Sequence, residues 1–364
     1  MDIREIARLA KVSTATVSRT INRVPTVDPQ LAKRVWKVVE KLGYYPNTQA
    51  RALVSGRSRI FGLVISKITN PFFPEVVESF EHIAVQNNYE ILLASSMDDP
   101  KQMTMSVRRM IERRVDGVAI ITFGMEEALT EDLRFRKVPL VFVDVGPSIP
   151  GVSNIRIDYQ HGIRQAVQHL AALRHGRIAF ISGPLHLKSA NARKTAFEES
   201  MREIGHEPLP ELMIEGDHTM EGGMRALEKL AGLQERPTAI MCSNDMTAIG
   251  VMRQAYQYAI PVPQQLSVVG FDDIRLSEFT IPPLTTVRMS QAELARLAFK
   301  ALIAAVESDP AKHERHEYSL TTSLALRKST ALAPTRVLKG KTVSRSRASS
   351  SQRKDRQEHS SKKG

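Results

Sequence analysis

Residues 3–22 read IREIARLAKVSTATVSRTIN, and this stretch decides how the chain begins. Ile3, Ile6, Ala7 and Ala10 recur at i, i+3, i+4 and i+7, which is one apolar face of a helix. Lys11-Val12-Ser13 interrupts the pattern, and Ser13 suits the N-cap of a second helix over roughly residues 14–22. In that helix Val17 and Ile21 face inward, leaving Thr14, Ala15, Ser18 and Arg19 outside. Asp28-Pro29 opens a third helix, an N-cap followed by proline in the first turn. It runs through Leu31, Val35, Val38 and Leu42, and Gly43 is placed to end it. Three short helices with a tight turn between the first two make a helix-turn-helix.

Past residue 60 the pattern changes. FGLVIS (61–66), YEILLAS (89–95), DGVAIIT (116–122) and PLVFVD (139–144) are short β-rich runs separated by helical stretches. IAFISG (178–183), AIMCS (239–243) and LSVVGFD (266–272) continue the series. Near-continuous apolar strands joined by helices imply parallel sheets covered on both faces. The span is longer than one such sheet needs, so two α/β lobes are expected. The predicted organisation is a head at 1–46, a linking segment at 47–59, a two-lobed body at 60–334 and a tail at 335–364.

The formal net charge of +12 is unevenly placed. Residues 1–59 hold 12 basic and 4 acidic side chains, residues 60–334 hold 29 and 33, and residues 335–364 hold 10 and 2. A basic head on a mildly acidic body points to a polyanion, most simply nucleic acid. The Ser/Lys/Arg-rich tail is predicted to be disordered. One cysteine, Cys242, excludes an internal disulfide and a multi-thiolate zinc site, so a reducing cytoplasm is the expected location. No apolar run approaches the ~18 residues of a membrane span, and the charged start is not that of a signal peptide.

The first stretch, together with LGYYPNTQARAL (42–53) and GLVISKITNPFF (62–73), resembles the LacI/GalR family of bacterial transcriptional regulators. The resemblance extends to about residue 330. It implies a periplasmic-binding-protein-like pair of lobes with three crossovers and a ligand cleft between them. It also implies a homodimer on a near-palindromic double-stranded operator, controlled by a small-molecule effector, with repression as the usual mode and no cofactor. The dimer is expected to stop there, because the tail carries a single leucine, Leu338, and no leucine heptads.

By this resemblance Thr14, Ala15 and Arg19 read bases. Arg19 is suited to guanine O6 and N7, and Ser13, Thr16 and Ser18 offer hydroxyls to phosphates. Asn47 to Val54 is read as a short helix capped by Asn47, too short to be stable alone in water. In the family the corresponding segment folds on DNA and inserts a leucine into the minor groove. Leu53 holds that position here, and Ala50 is small enough for two such helices to meet.

Residues at the C-terminal ends of parallel strands line clefts. Asp144, Asn244 and Asp272 end or follow predicted strands, and Arg193 lies early in the helix after SGPLHLKS (182–189). Each aligns with a ligand-contacting position of the family. Singly, Asp144 or Asp272 caps a turn equally well, and Arg193 fits a surface charge. Together, carboxylates, an amide and a guanidinium suit a hydroxyl-rich ligand, a sugar or sugar derivative. Asn70 and Phe72 belong to the family's first-strand loop, where an aromatic ring stacks on the ligand, with Phe73 either beside it or turned into the core. His218 holds a position often aromatic in the family, and Ser189 adds a hydroxyl. Leu187 sits where purine-binding members carry an arginine.

The rival is an α/β enzyme acting on a sugar or nucleotide. No G-x-G-x-x-G follows the first strand, and Thr335 replaces the first glycine of the phosphate-loop ending at Gly340-Lys341-Thr342. His313 and His316 lack the zinc-protease spacing. The enzyme reading finds no chemistry to rest on.

Overall fold

The computed structural model describes residues 2–21, 24–44, 56–97, 99–121, 138–144, 152–308 and 316–335. Asn47, Ala50, Leu53 and the tail beyond Thr335 lie outside the described residues.

The head is three helices, α1 (Ile3–Ala10), α2 (Thr14–Ile21) and α3 (Pro29–Leu42). Helix α1 ends where Lys11 turns left-handed, at φ 51°, and its N–H closes on Ala7 and Arg8. The Asp28 carboxylate accepts from the N–H groups of Gln30 (2.9 Å) and Leu31 (3.0 Å), fixing the start of α3. Gly43 ends it at φ 57°, a left-handed turn that costs glycine little. Ile6, Ala7, Ala10, Val17, Val35 and Val39 form one small core. Two expectations shift here. Ile21 is only partly buried, whereas Thr20 is buried and satisfies its hydroxyl on the Thr16 carbonyl at 2.8 Å. Val39 takes the central place on α3 while Val38 packs at its edge.

The body holds two six-stranded sheets. The first is built from β1 (Ile60–Ile65), β2 (Glu90–Ser95), β3 (Gly117–Ile121), β4 (Leu140–Val143) and β5 (Val152–Asp158), with α4 (Phe72–Gln86) and α5 (Pro100–Glu112) between strands. The second follows α6 (Tyr159–Ala172) and runs β6 (Ile178–Ser182), α7 (Lys188–Glu203), β7 (Met213–Glu215), α8 (Met220–Ala231), β8 (Ala239–Cys242), α9 (Asp245–Gln257), β9 (Ser267–Asp272) and β10 (Thr285–Arg288). The chain then returns through α10 (Gln291–Glu307) to β11 (Glu317–Thr321) and crosses once more to β12 (Ser323–Ala325).

Spatially the orders are β2-β1-β3-β4-β5-β11 and β7-β6-β8-β9-β10-β12. Each lobe therefore repeats the same doubly wound order, and each receives its sixth strand only after the chain has visited the other. All pairings are parallel except β10 with β12, a three-residue antiparallel edge that the reading of purely parallel sheets missed. Both sheets reverse winding beside their first strand, and crevices form at such switch points outside the strands' C-terminal ends.

Three chain passages cross between lobes, and the first and third are bonded to each other. Thr322, buried between β11 and β12, donates to the Asp158 carbonyl at 2.6 Å and accepts from Gly162 N–H at 3.0 Å. Thr322→Val keeps the shape but leaves both backbone groups unsatisfied, so it should cost about 1–3 kcal/mol of folding stability. Urea unfolding of the two proteins measures this; an unchanged midpoint would show that the crossovers do not depend on this hydroxyl.

Candidate functional site

The cluster around Arg193 is built where strands end. Arg193 lies on α7, one helical turn after Ser189, so both share a face. It is not a surface charge: only 3% of Arg193 is exposed. Its Nη1 donates to the Ser243 carbonyl at 2.5 Å and stands 3.6 Å from Oδ1 of Asp272, which ends β9. The guanidinium also lies over two rings, 4.1 Å from the centre of Phe271 and 5.1 Å from that of Tyr159. Tyr159, at the start of α6, donates its hydroxyl to Asp144 at 2.7 Å. Asp144, Tyr159, Arg193, Phe271 and Asp272 are thus one connected unit.

The electrostatics follow from burial. Desolvation pushes the Asp272 carboxyl up to about 7, against the pull of Arg193 and with a further push from Glu75. Desolvation likewise raises Asp144, against the Tyr159 hydrogen bond and the Arg193 charge. The backbone is strained at the same places: Asp144 has φ 77°, His218 61°, Asp272 109° and Asp273 56°. Such positive values in residues with side chains cost of order 1–3 kcal/mol each and gather at binding sites.

Other expected residues fall around this unit in different roles. Asn244 caps α9 by accepting from Thr247 N–H at 2.9 Å, and its amide donates to the His218 carbonyl at 3.1 Å. The His218 ring lies against Gly183, where a Cβ would stand 2.0 Å from Nε2, so only glycine permits this contact. The Asn70 side chain accepts from Phe72 N–H at 3.1 Å and starts α4. Phe72 and Phe73 are both in the core, 3% and 2% exposed, meeting edge to face at 5.4 Å. Phe72 therefore offers little open ring surface, contrary to the stacking expected of it. The hydroxyls of Ser189 and Ser243 and Nε of Arg193 are buried without a hydrogen-bond partner among the described residues.

Two members were missed by the sequence reading. Tyr159 looks like a helix-face aromatic, and only the first crossover brings it under Arg193. Glu75 looks like a surface residue of α4, yet it accepts from Arg275 N–H of the other lobe at 2.9 Å. A separate apolar pocket near Leu227, Ile260 and Leu266 lies at the N-terminal ends of β8 and β9, away from this chemistry.

On the head, Ser13 accepts from Thr16 N–H at 3.1 Å, the N-cap that begins α2. Thr14, Ala15 and Arg19 are exposed, while Thr16 and Ser18 are half-buried on its flanks.

A small helix-turn-helix head joined to a two-lobed, ligand-binding body defines a class of ligand-responsive DNA-binding protein. Residues 2–47 match the model of bacterial regulatory proteins of the lacI family, and residues 167–330 match a periplasmic binding protein-like domain. The chain is 30% identical over 328 residues to the HTH-type transcriptional repressor PurR of Aliivibrio salmonicida (strain LFI1238), covering 90% of this chain and 98% of that one. It is 34% identical over 301 residues to catabolite control protein A of Priestia megaterium, covering 82% and 91%. Its structure is similar to the lac repressor dimer bound to operator and the anti-inducer ONPF, with TM-score 0.80 at 26% identity over 91% of this chain and 99% of that one. The complex of the transcriptional regulator CelR with cellobiose gives TM-score 0.66 at 26% identity, covering 90% and 99%. The chain belongs to the lacI family of bacterial regulatory proteins.

A carboxyl held near 7 when folded and near 4 when unfolded binds its proton more tightly in the native state. Its contribution to stability is full below about pH 4 and is lost as pH rises through about 7. The unfolding free energy of wild type minus that of Asp272→Asn should therefore fall between about pH 4 and pH 8. A difference independent of pH would place the Asp272 carboxyl in an ordinary, solvated environment.

Proposed function

We propose that this chain is a transcriptional repressor that acts as a homodimer on a near-palindromic operator. A small polyhydroxylated ligand, a sugar or sugar derivative held between the lobes, controls its affinity for DNA. The observation that carries this reading is the buried cluster of Arg193, Asp144 and Asp272, flanked by the hydroxyls of Ser189 and Ser243, which have no hydrogen-bond partner among the described residues. A guanidinium fork and a hydroxyl from α7, with two carboxylates and a second hydroxyl at strand C-termini, match vicinal hydroxyls on a ring, each of which both donates and accepts.

Several points support the finer assignments. The relative CelR is complexed with cellobiose. Leu187, at the entry to α7, brings no charge to the site where purine-binding members carry an arginine. Asp144 and Asp272 are assigned to ligand hydroxyls, Arg193 to a hydroxyl or ring oxygen, and Ser189 and Asn244 to the rim. His218 closes one wall against Gly183, and Asn70, Phe72 and Phe73 shape the opposite lobe's loop. On the head, Thr14, Ala15 and Arg19 enter the major groove while Ser13, Thr16 and Ser18 meet phosphates. Asn47, Ala50 and Leu53 are assigned to the DNA-induced hinge and its minor-groove wedge. Residues 1–46, 47–59 and 60–334 serve as reader, hinge and effector unit, and the basic tail is assigned no role beyond solvation. No membrane role is assigned: no described helix is long and apolar enough to cross a bilayer.

Arg19→Ala should weaken binding to the selected operator by about 1–3 kcal/mol and relax preference at one base pair per half-site. Competition against duplexes varied one pair at a time reads this out, and uniform weakening across the set would make Arg19 a phosphate contact instead. For the effector, a thermal-shift screen of the full chain against sugars, sugar acids, sugar phosphates and nucleosides should raise Tm with members of the sugar classes. The shift should vanish in Asp272→Ala. Stabilisation by nucleosides alone would overturn the sugar assignment.

A further inference from the structure

We propose that α10 ties the ligand cleft to the segment leading to the DNA-binding head, with Gln291 and Arg57 as positioning residues at its two ends. This inference deepens the regulator reading and rests on it for its biological meaning.

Helix α10 has 17 residues, so it spans about 25 Å. It begins at the second crossover, immediately after β10 leaves the second lobe, yet its body packs on the first. At its first residue, Gln291 Nε2 donates to the backbone carbonyl of Asp272 at 3.0 Å. Asp272 thus does two things at once. Its carboxylate faces Arg193 in the cleft, and its carbonyl holds the start of α10, across a backbone strained at φ 109°. A ligand that rearranges the Asp272 side chain acts on a residue whose backbone has little freedom to absorb the change.

The far end is anchored to the connector. Arg57 Nη2 donates to the Val306 carbonyl at 3.1 Å, in the last turn of α10, where a cation also favours the helix dipole. The next residues are fixed to the first lobe: the Asp116 carboxylate accepts from Ser58 N–H (2.7 Å), Ser58 Oγ–H (2.8 Å) and Arg59 N–H (3.1 Å). Between the ends, Phe299 of α10 meets Phe61 edge to face at 5.6 Å and Tyr89 at 6.1 Å. Tyr89 stacks on Phe61 at 4.2 Å and carries the Arg59 guanidinium over its ring at 5.2 Å. Every step from Asp272 to Arg59 is therefore a hydrogen bond, a ring contact or a continuous helix. Close-packed interiors pass displacement along such elements instead of dissipating it.

Coupling has to be measured, because adjacency alone does not establish it. Hydrogen exchange of the full chain, without DNA or ligand, reads the amides of Ser58 and Arg59 directly. Gln291→Leu, and Gln291→Glu as a same-sized variant lacking the donor, should each speed these amides about fivefold, the size expected for one neutral hydrogen bond. The amides of β8 in the other lobe should keep their wild-type rates, which a general loss of stability would not allow. Arg57→Ala should speed the connector amides by itself, and adding Gln291→Leu should then change nothing further. Arg57→Lys, which retains a donor, should resemble wild type. The proposal is overturned if both Gln291 variants leave the connector unchanged. It is also overturned if the Gln291 and Arg57 effects multiply independently, as sites more than about 10 Å apart ordinarily do. Neither DNA nor effector enters this measurement, so its failure would leave the operator and ligand assignments standing, and theirs would leave the link intact.

Discussion

The buried guanidinium of Arg193 organises the centre of this molecule. An arginine cannot shed its charge, so once buried it requires anions and rings around it. Asp272 supplies the charge, Ser243 a carbonyl, and Phe271 and Tyr159 their faces. Tyr159 in turn fixes Asp144. These partners come from α6 and the ends of β4, β8 and β9, so one side chain of α7 ties together elements from both lobes and their first crossover. Buried ion pairs seldom add net stability, because desolvation offsets the attraction. The strained backbones of Asp144 and Asp272 add further cost. The arrangement is therefore costly twice over, in charge and in backbone.

The duplicated strand order explains why this cost is bearable. Each lobe is a doubly wound sheet with one apolar layer of its own, a larger apolar cluster runs through both, and the sixth strand of each arrives after a crossover. Three passages join the lobes, and Thr322 bonds the third of them to the first. Glu75 and Arg275 bond one lobe directly to the other. Desolvation raises the Glu75 carboxyl, opposed by the Arg275 N–H and charge and helped by the charges of Asp273 and Glu78. A ligand can bias the arrangement of two such lobes only if it binds the alternative arrangements unequally.

The sequence alone determined the head, because its information is local. Caps at Ser13 and Asp28, the stop at Gly43 and a 3.6-residue apolar period fix three helices over short distances. The exposed Thr14, Ala15 and Arg19 then follow from geometry. It also determined the strands buried on both faces, whose apolar runs need no partner to be recognised. Strands of weaker pattern were not legible: β5 (VSNIRID) mixes polar and apolar residues, and β12 is a three-residue edge. Likewise Phe72 reads as an exposed loop aromatic until α4 carries it into the core.

What only the tertiary structure decided is which polar residues meet. Asp144, Asn244 and Asp272 were marked by their place at strand ends, a rule of one dimension. Tyr159 and Glu75 carry no such mark, and their roles exist because a crossover and a lobe contact bring them to the cluster. Nor does sequence tell that Asn244 spends its side chain on a helix cap and the His218 carbonyl, or that Gln291 and Arg57 stand at opposite ends of one helix. The physical reason is range: caps and periodicity act within a turn or two, whereas Arg193 meets Asp272 across 79 positions of chain, brought together by packing alone.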